Sequence, residues 1–260
     1  MESVQAVTQM RVIFSRTVRP ACGVVLATVL LLSGCATYIP PGAKADLQVF
    51  APPSIQDAFA VKPTSPFPAA IAAVRIQGPA YSNHNVRQNG GLHGDGRYTV
   101  MMTREVEDQM HFDRIAALPN VSGVTGLNRM LIPARLEGDR EIREAAARLH
   151  ADLVWVYTFD TAFFDHDAAK PLSVITLGLS PTRKITAVTT ASALLIDTRT
   201  GYLYAAHEVT EREATLATSW GSRDAADQAR QHTERRAFAK LVDEFTTSWA
   251  KVLAGTGVKI

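Results

Sequence analysis

The sequence predicts an α/β protein: a mixed sheet of about five strands, packed by helices and closed by a long C-terminal amphipathic helix. Three observations support this class. Residues 153–159 are almost entirely apolar, which is typical of a strand buried on both faces in the middle of a sheet. Residues 185–196 and 202–209 form two more strand-like runs around a short polar segment. Residues 222–254 predict a long helix, in whose second half, from Phe238 to Leu253, apolar side chains recur at helical spacing.

The first half of the domain gives weaker signals, which we take in chain order. Residues 69–77 are rich in alanine and branched residues and stop at Gly78-Pro79, so they predict a strand. We interpret the polar, glycine-rich residues 81–97 as a loop. The remaining elements are a short strand, a helix capped by Thr103 and another strand, expected over residues 98–102, 104–117 and 121–127.

The second half gives the clearest local patterns. Asp139 is in position to cap a helix whose apolar residues Ile142, Ala145, Ala146 and Leu149 recur every three or four positions. Residues 197–201 read Asp-Thr-Arg-Thr-Gly, a composition that favours a tight hairpin turn. Ser222 can cap the last helix, and Gly255 stands at the usual stop position. The first half of that helix is charged, so we expect it to be solvated or to contact a partner.

The N-terminus has the layout of an export signal. Arg11, Arg16 and Arg19 precede residues 21–32, which carry no charge. A basic start followed by an apolar core of about 7–15 residues is typical of a secretory signal peptide. The apolar run is too short for a membrane-spanning helix, which needs about 20 residues. Met1 and Met10 are both candidate start residues.

The end of this signal carries a resemblance. Leu32-Ser33-Gly34-Cys35 resembles the lipobox of bacterial lipoproteins, in which the cysteine becomes the first residue of the mature chain. The resemblance implies a diacylglyceryl group on the Cys35 thiol and a palmitate-like acyl chain on the new amino terminus. Such an anchor is effectively permanent. We therefore divide the chain into a signal peptide (1–34), an anchor with a proline-rich tether (35–68) and one periplasmic domain (69–260). Ala36 implies sorting to the outer membrane.

Charge and cysteine content exclude several classes of function. The chain has 27 basic and 25 acidic residues. Removal of residues 1–34 takes three arginines and one glutamate and leaves 24 of each sign. The mature domain is therefore neutral and does not have the basic character of a nucleic-acid-binding protein. Cys22 leaves with the signal and Cys35 carries lipid, so we expect neither a disulfide nor a cysteine metal site.

No pattern predicts catalysis or a cofactor. The chain contains neither a G-x-S-x-G elbow nor an S-x-x-K pair, and residues 81–97 lack the pattern of a phosphate-binding loop. Asp160, Asp165, His166 and Asp167 form one acidic cluster with an imidazole, which could bind a divalent cation. Because their spacing matches no standard site, we favour a solvated loop and assign no catalytic, cofactor or metal residue.

One segment is too apolar for a free loop. Residues 172–179 read Leu-Ser-Val-Ile-Thr-Leu-Gly-Leu between the central strand and the hairpin. Pro171 and Pro181 leave little room for two membrane strands of about 9–11 residues. We therefore predict a protein contact, although packing on its own domain and membrane insertion remain alternatives. The candidate contact residues are Leu172, Val174, Ile175, Leu177 and Leu179.

The order of elements carries a second resemblance. Residues 145–154 and 193–197, with Thr200-Gly201, resemble the anticodon-binding-like α/β domain found in the curli secretion lipoprotein and at the amino terminus of the Tol translocation protein. The chain also resembles proteobacterial outer-membrane lipoproteins of the rhombotarget type, although it lacks their carboxy-terminal Gly-Gly tail. A shared fold does not transmit function.

These observations predict a lipid-anchored, non-catalytic adaptor at the outer membrane, facing the periplasm. Its expected contacts are the membrane, through the acyl chains on Cys35, and an envelope protein; a homo-oligomer is left open. A subunit of an oligomeric secretion channel is the first alternative. A metal-dependent hydrolase that uses Asp165, His166 and Asp167 is the second.

Overall fold

The computed structural model describes residues 44–52, 54–167, 183–217 and 222–256. The chain divides into two compact units, Met1–Thr37 and Tyr38–Ile260, and every described residue belongs to the second. Within the described residues, no helix has the length and apolar character needed to cross a bilayer.

The described domain is a mixed α/β fold, as predicted, but its sheet has seven strands instead of about five. The strands are β1 Ala69–Gln77, β2 Leu92–His93, β3 Asp95–Gly96, β4 Thr99–Met101, β5 Val121–Gly126, β6 Arg135–Leu136, β7 Leu153–Asp167, β8 Arg183–Asp197 and β9 Leu203–Ala217. Their order in the main sheet is β2-β4-β1-β7-β8-β9, and β5 also pairs with β1. A separate two-stranded sheet joins β3 to β6.

Helices cover both faces of this sheet. A 3-10 helix spans Leu47–Phe50, and the α-helices are α1 Ile55–Ala60, α2 His84–Asn89, α3 Gln109–Ala116, α4 Arg140–Arg148 and α5 Ser222–Gly255. On one face, Trp155 packs among aromatic side chains that include Phe238 and Phe245 of α5. On the other face, Val154 and Val156 pack with apolar residues of α4. The prediction that residues 153–159 form a central strand buried on both sides is confirmed.

Two predictions in the first half of the domain are wrong in detail. The helix expected over residues 104–117 begins only at Gln109, because Val106 and Glu107 turn inward and are buried. The loop expected over residues 81–97 contains α2, whose first turn is capped when Asn83 Oδ1 accepts the Val86 amide at 2.7 Å. The same stretch contributes β2, whose two residues are too few to give a periodic signal.

The hairpin between β8 and β9 is confirmed, and Asp197 is its centre. The carboxylate of Asp197 accepts the amides of Arg199 at 2.8 Å and Thr200 at 3.1 Å, which closes the turn. It also accepts the amides of Thr64 and Ser65, both at 2.8 Å. Gly201 ends the turn with a φ of 74°, a conformation that favours glycine. This one carboxylate therefore holds both the turn and the chain segment that leads into β1.

The predicted tether is partly attached to the domain. The 3-10 helix Leu47–Phe50 docks, because Phe50 is buried against the ring of Tyr98, and the Ala45 amide donates to Thr158 Oγ1 at 3.0 Å. By contrast, α1 exposes its large apolar side chains Ile55 and Phe59. Of the two helices in the proline-rich stretch, the 3-10 helix therefore packs on the domain and α1 exposes its apolar side chains to solvent.

Three long strands extend beyond the rest of the sheet. Strand β1 pairs with β7 only as far as Tyr157, whereas β8 pairs with both β7 and β9 along almost its whole length. We call the distal part the arm: residues 160–167 of β7, 183–190 of β8 and 210–217 of β9. The first half of α5 packs along one face of the arm, where Ala226 is buried against Ile185. The expectation that this half of the helix is a solvated end is therefore wrong.

Candidate functional site

The most unusual feature of the described domain is a network of buried charges between β1, α5 and the segment before α3. Arg75 lies in β1 with its side chain 2% exposed. Its guanidinium pairs with Glu107 at 3.3 Å and with Glu234 of α5 at 3.4 Å, and it stacks over the ring of Phe159 at 4.5 Å. A buried charge is tolerated only when it is paired and hydrogen-bonded, so this arginine fixes the position of both carboxylates.

A second buried arginine extends the network along α5. Arg230 has a fully buried side chain and pairs with Glu234 at 2.9 Å, Asp227 at 3.0 Å and Glu105 at 2.6 Å. Asp227, Arg230 and Glu234 follow the i, i+3 and i+4 spacing that places side chains on one helix face. Glu105 belongs to the segment before α3, so Arg230 ties that segment to the long helix.

Hydroxyl and amide groups complete the network and connect it to the arm. Thr161 of β7 donates to Glu234 at 3.1 Å and lies 2.9 Å from Thr189 of β8. Tyr81 Oη accepts from Arg75 at 3.0 Å, and Asn83 donates to Glu105 at 3.2 Å. The network therefore joins the base of the arm, the long helix and the first strand into one unit.

The electrostatics of the network favour a structural role. Burial lowers the pKa of Arg75 and of Arg230, but the neighbouring Tyr81 and the facing carboxylates outweigh that effect and raise both pKa values above the ordinary value. Burial raises the pKa of Tyr81 to about 12. Burial, followed by the charge of Glu107, raises the pKa of Tyr157 as well. The arginines stay charged and the tyrosines stay protonated near neutral pH, so none of these four groups is suited to proton transfer.

A polar cavity of about 270 Å³ lies beside the network. It opens where β1 changes neighbours, between Ala73, which pairs with β5, and Arg75, which pairs with β4. Glu107 and Tyr157 line it together with Arg104, whose guanidinium stacks over the ring of Phe112 at 4.3 Å. Small-molecule sites usually have volumes of about 300–1,000 Å³, so this space is at the lower limit for a ligand.

The lining of this cavity carries both charge signs. Arg104 is exposed and its guanidinium donates to Gln109 Oε1 at 2.8 Å, whereas Glu107 is buried. A Cβ atom at Gly126 would lie 2.9 Å from Arg104 Nη2, the free end of a flexible side chain that can move aside. The cavity therefore pairs a movable cation with a buried carboxylate.

The sequence-predicted site residues lie at or beyond the edges of the described part. Cys35 is outside the described residues, and so is the whole contact set Leu172, Val174, Ile175, Leu177 and Leu179. The positions that flank the contact segment are described: Asp167 of β7 pairs with Arg183 of β8. The segment that contains the contact set therefore joins two paired residues at the distal end of the arm.

The hypothetical metal cluster is only partly described. The backbone of residues 165–167 forms the last three positions of β7, but their side chains lie outside the described part. Among the described residues, no group of three or more His, Cys, Asp or Glu side chains is arranged to hold a metal ion.

The buried network was not predicted from the sequence, although Arg75 gave one indication of it. Arg75 interrupts an otherwise apolar strand of nine residues, and a charge in such a strand requires a buried partner. The identity of the partners could not be read, because Glu107 and Glu234 are distant in sequence. Arg230 gave no signal, since a charged residue on a helix is normally solvated.

Comparison with known proteins adds no identification: no protein-family model matches the chain, and no curated protein matches it significantly.

Proposed function

We propose that this protein is a lipid-anchored accessory protein of the outer membrane that binds an envelope protein through the distal end of the arm. The observation that carries the proposal is the arm itself. Strand β1 pairs with β7 only as far as Tyr157, and β7 continues from there to Asp167 paired with β8. A projecting sheet is useful for binding when it is rigid and when its end is free to meet a partner. The lipid anchor on Cys35 and the periplasmic location are part of the proposal.

The buried network supports the first requirement. Thr161 and Thr189 hydrogen-bond to each other at the base of the arm, and Thr161 is bonded to Glu234 of α5. Because Glu234 is itself held by both buried arginines, the arm cannot bend toward the helix without breaking charged contacts. Breaking such contacts inside a protein is costly.

Exposed apolar side chains support the second requirement. Phe164 of β7 is 50% exposed and Leu216 of β9 is 61% exposed. Both side chains lie on the face opposite α5. Ile185 of β8 packs against α5, so its neighbours Lys184 and Thr186 face the other way. Leu216 lies directly across from Lys184, and Phe164 lies directly across from Thr186. Apolar groups gathered at one end of a protein are typical of an interaction surface. The apolar contact set of residues 172–179 is joined to the same end.

Photocrosslinking in cells tests this proposal. A photoreactive phenylalanine analogue at position 164 replaces one exposed ring with another, and we expect it to form an adduct with one discrete envelope protein. The matched control carries the same analogue at Arg140, whose side chain is 83% exposed at the start of α4. That helix packs against the opposite end of β7, so we expect no such adduct there.

Two outcomes would contradict the proposal. One is an adduct pattern at position 164 that contains only lipid or other copies of this chain. The other is the same envelope protein captured equally from positions 164 and 140, which would indicate random collision instead of recognition by the arm.

A further inference from the structure

Strand β9 has an uncovered edge. It is the last strand in the order of the main sheet, so one side pairs with β8 and the other side meets no strand of the described chain. A free strand edge readily pairs with another chain, and natural proteins usually protect long edges with proline, charged side chains or bulges. The fifteen residues of β9 contain no proline, and the register irregularity lies near Leu203. Its charged residues are of both signs, so they do not by themselves repel a second copy of the strand: Glu208, Glu211, Arg212 and Glu213.

We propose that β9 pairs antiparallel with β9 of a second copy of this chain, about a two-fold axis at Thr210. In this register Thr210 faces its own copy, and Arg212 faces Glu208 of the second copy. The symmetry creates the Arg212–Glu208 pair twice. The contact is independent of the proposed function, because it uses the lateral edge of the sheet and not the end of the arm.

Charge complementarity favours a second copy of this chain as the partner of β9 and favours the register with the axis at Thr210. Arg212 and Glu208 are exposed on the same face of β9, and within the described residues the Arg212 side chain forms no ion pair. Glu208 accepts the Ser192 hydroxyl at 2.9 Å. An axis at Arg212 or at Glu208 would oppose like charges, which is destabilising in a sheet. An axis at Val209 would place Arg212 opposite Ala206 of the second copy, and an axis at Glu211 would place it opposite Thr210. Neither register gives Arg212 a carboxylate directly opposite.

One contact must change when the strands pair. Arg236 of α5 donates to the Arg212 carbonyl at 2.6 Å. The Arg236 side chain is 50% exposed and also pairs with Glu211 at 3.2 Å and Glu213 at 3.5 Å. It can therefore release the carbonyl and keep both carboxylates.

Disulfide trapping of the full-length chain in its native membrane tests the register. Residues directly opposite each other in an antiparallel pair have Cα atoms about 4.5–5.5 Å apart, which suits a disulfide. We expect Thr210→Cys to give a disulfide-linked dimer as the major species after mild oxidation. Ala206→Cys is the matched control, because its copy lies about 27 Å away in this register, at about 3.4 Å per residue. The unsubstituted chain gives the baseline.

Charge reversal then tests complementarity in the Thr210→Cys background. Arg212→Glu places two glutamates opposite each other, and we expect the dimer to fall about tenfold. Adding Glu208→Arg to the same chain restores the opposite charges and is expected to restore the dimer. The proposal is overturned if Thr210→Cys yields no dimer, if Ala206→Cys yields as much, or if the double reversal stays as low as Arg212→Glu alone.

Discussion

Replacement of Arg230 by alanine is expected to lower the free energy of unfolding by about 3–5 kcal/mol. The side chain is fully buried and pairs with Glu105, Asp227 and Glu234. Its removal leaves these carboxylates with one buried cation, Arg75, to balance them. The cost arises from uncompensated buried charge as well as from the lost hydrogen bonds. Urea unfolding of residues 36–260, followed by circular dichroism, measures the effect.

Arg235→Ala is the matched control for this prediction. Arg235 lies in the same helix and is exposed, and it donates to the Glu105 carbonyl at 3.3 Å. We expect a change within about 0.5 kcal/mol, as for most surface substitutions. Equal losses in the two variants would show that the buried network does not stabilise the fold. Hydrogen exchange should also show faster opening of the arm in Arg230→Ala, because Glu234 holds Thr161 at its base.

Asp197→Asn is expected to lower the free energy of unfolding by about 1.5–3 kcal/mol, the range for hydrogen bonds to a charged group. The change keeps the shape of the side chain but removes its charge. In addition to four amides, the carboxylate accepts the hydroxyls of Ser65 at 2.9 Å and Tyr204 at 3.2 Å. In asparagine an NH₂ group replaces one carboxylate oxygen. That group is itself a hydrogen-bond donor and would face N–H and O–H donors, so several hydrogen bonds would be lost together.

The pH dependence of this effect has a defined sign. Burial alone would raise the pKa of Asp197, but the amides of Thr64, Thr200 and Arg199 and the hydroxyl of Ser65 outweigh burial and hold the pKa below its ordinary value. A lowered pKa in the folded state means that the stabilisation is complete above the unfolded pKa of about 3.9 and is lost as the pH falls through the folded pKa. The difference in unfolding free energy between wild type and Asp197→Asn should therefore be full at pH 7 and shrink below about pH 4.

Asp243→Asn provides the comparison for Asp197→Asn. Asp243 pairs with Arg114 on the surface, where its side chain is 58% exposed. Exposed pairs contribute about 0–1 kcal/mol, so we expect a much smaller loss at pH 7. A loss from Asp243→Asn as large as that from Asp197→Asn would contradict the account of the hairpin.

The parts of the fold that the sequence predicts are those set by local pattern. Strand β1 has the predicted bounds, and β7, the β8–β9 hairpin and the last helix were expected from apolar periodicity and turn chemistry. The start of α3 was not predictable in the same way. Val106 and Glu107 leave the helical path because they fill space between distant elements, and tertiary packing of that kind overrides local propensity.

The candidate site was less predictable than the fold, because its contacts join residues far apart in sequence. The long C-terminal helix illustrates the difference. Its amphipathic second half was read correctly, whereas Arg230 and Glu234 were read as solvated charges. Their burial depends on Arg75, which lies more than 150 positions earlier, and on Glu105. No helical pattern contains that information.

The central claim is that this chain works as a tethered envelope protein, and the mass of the native mature chain tests it most directly. Protein purified from its own membranes should begin at Cys35 and should exceed the mass of residues 35–260 by a diacylglyceryl group and one further acyl chain. Cys35→Ser should abolish both the cleavage and the added mass. A native chain that retains residues 1–34, or that begins at Cys35 without acyl groups, would contradict the account.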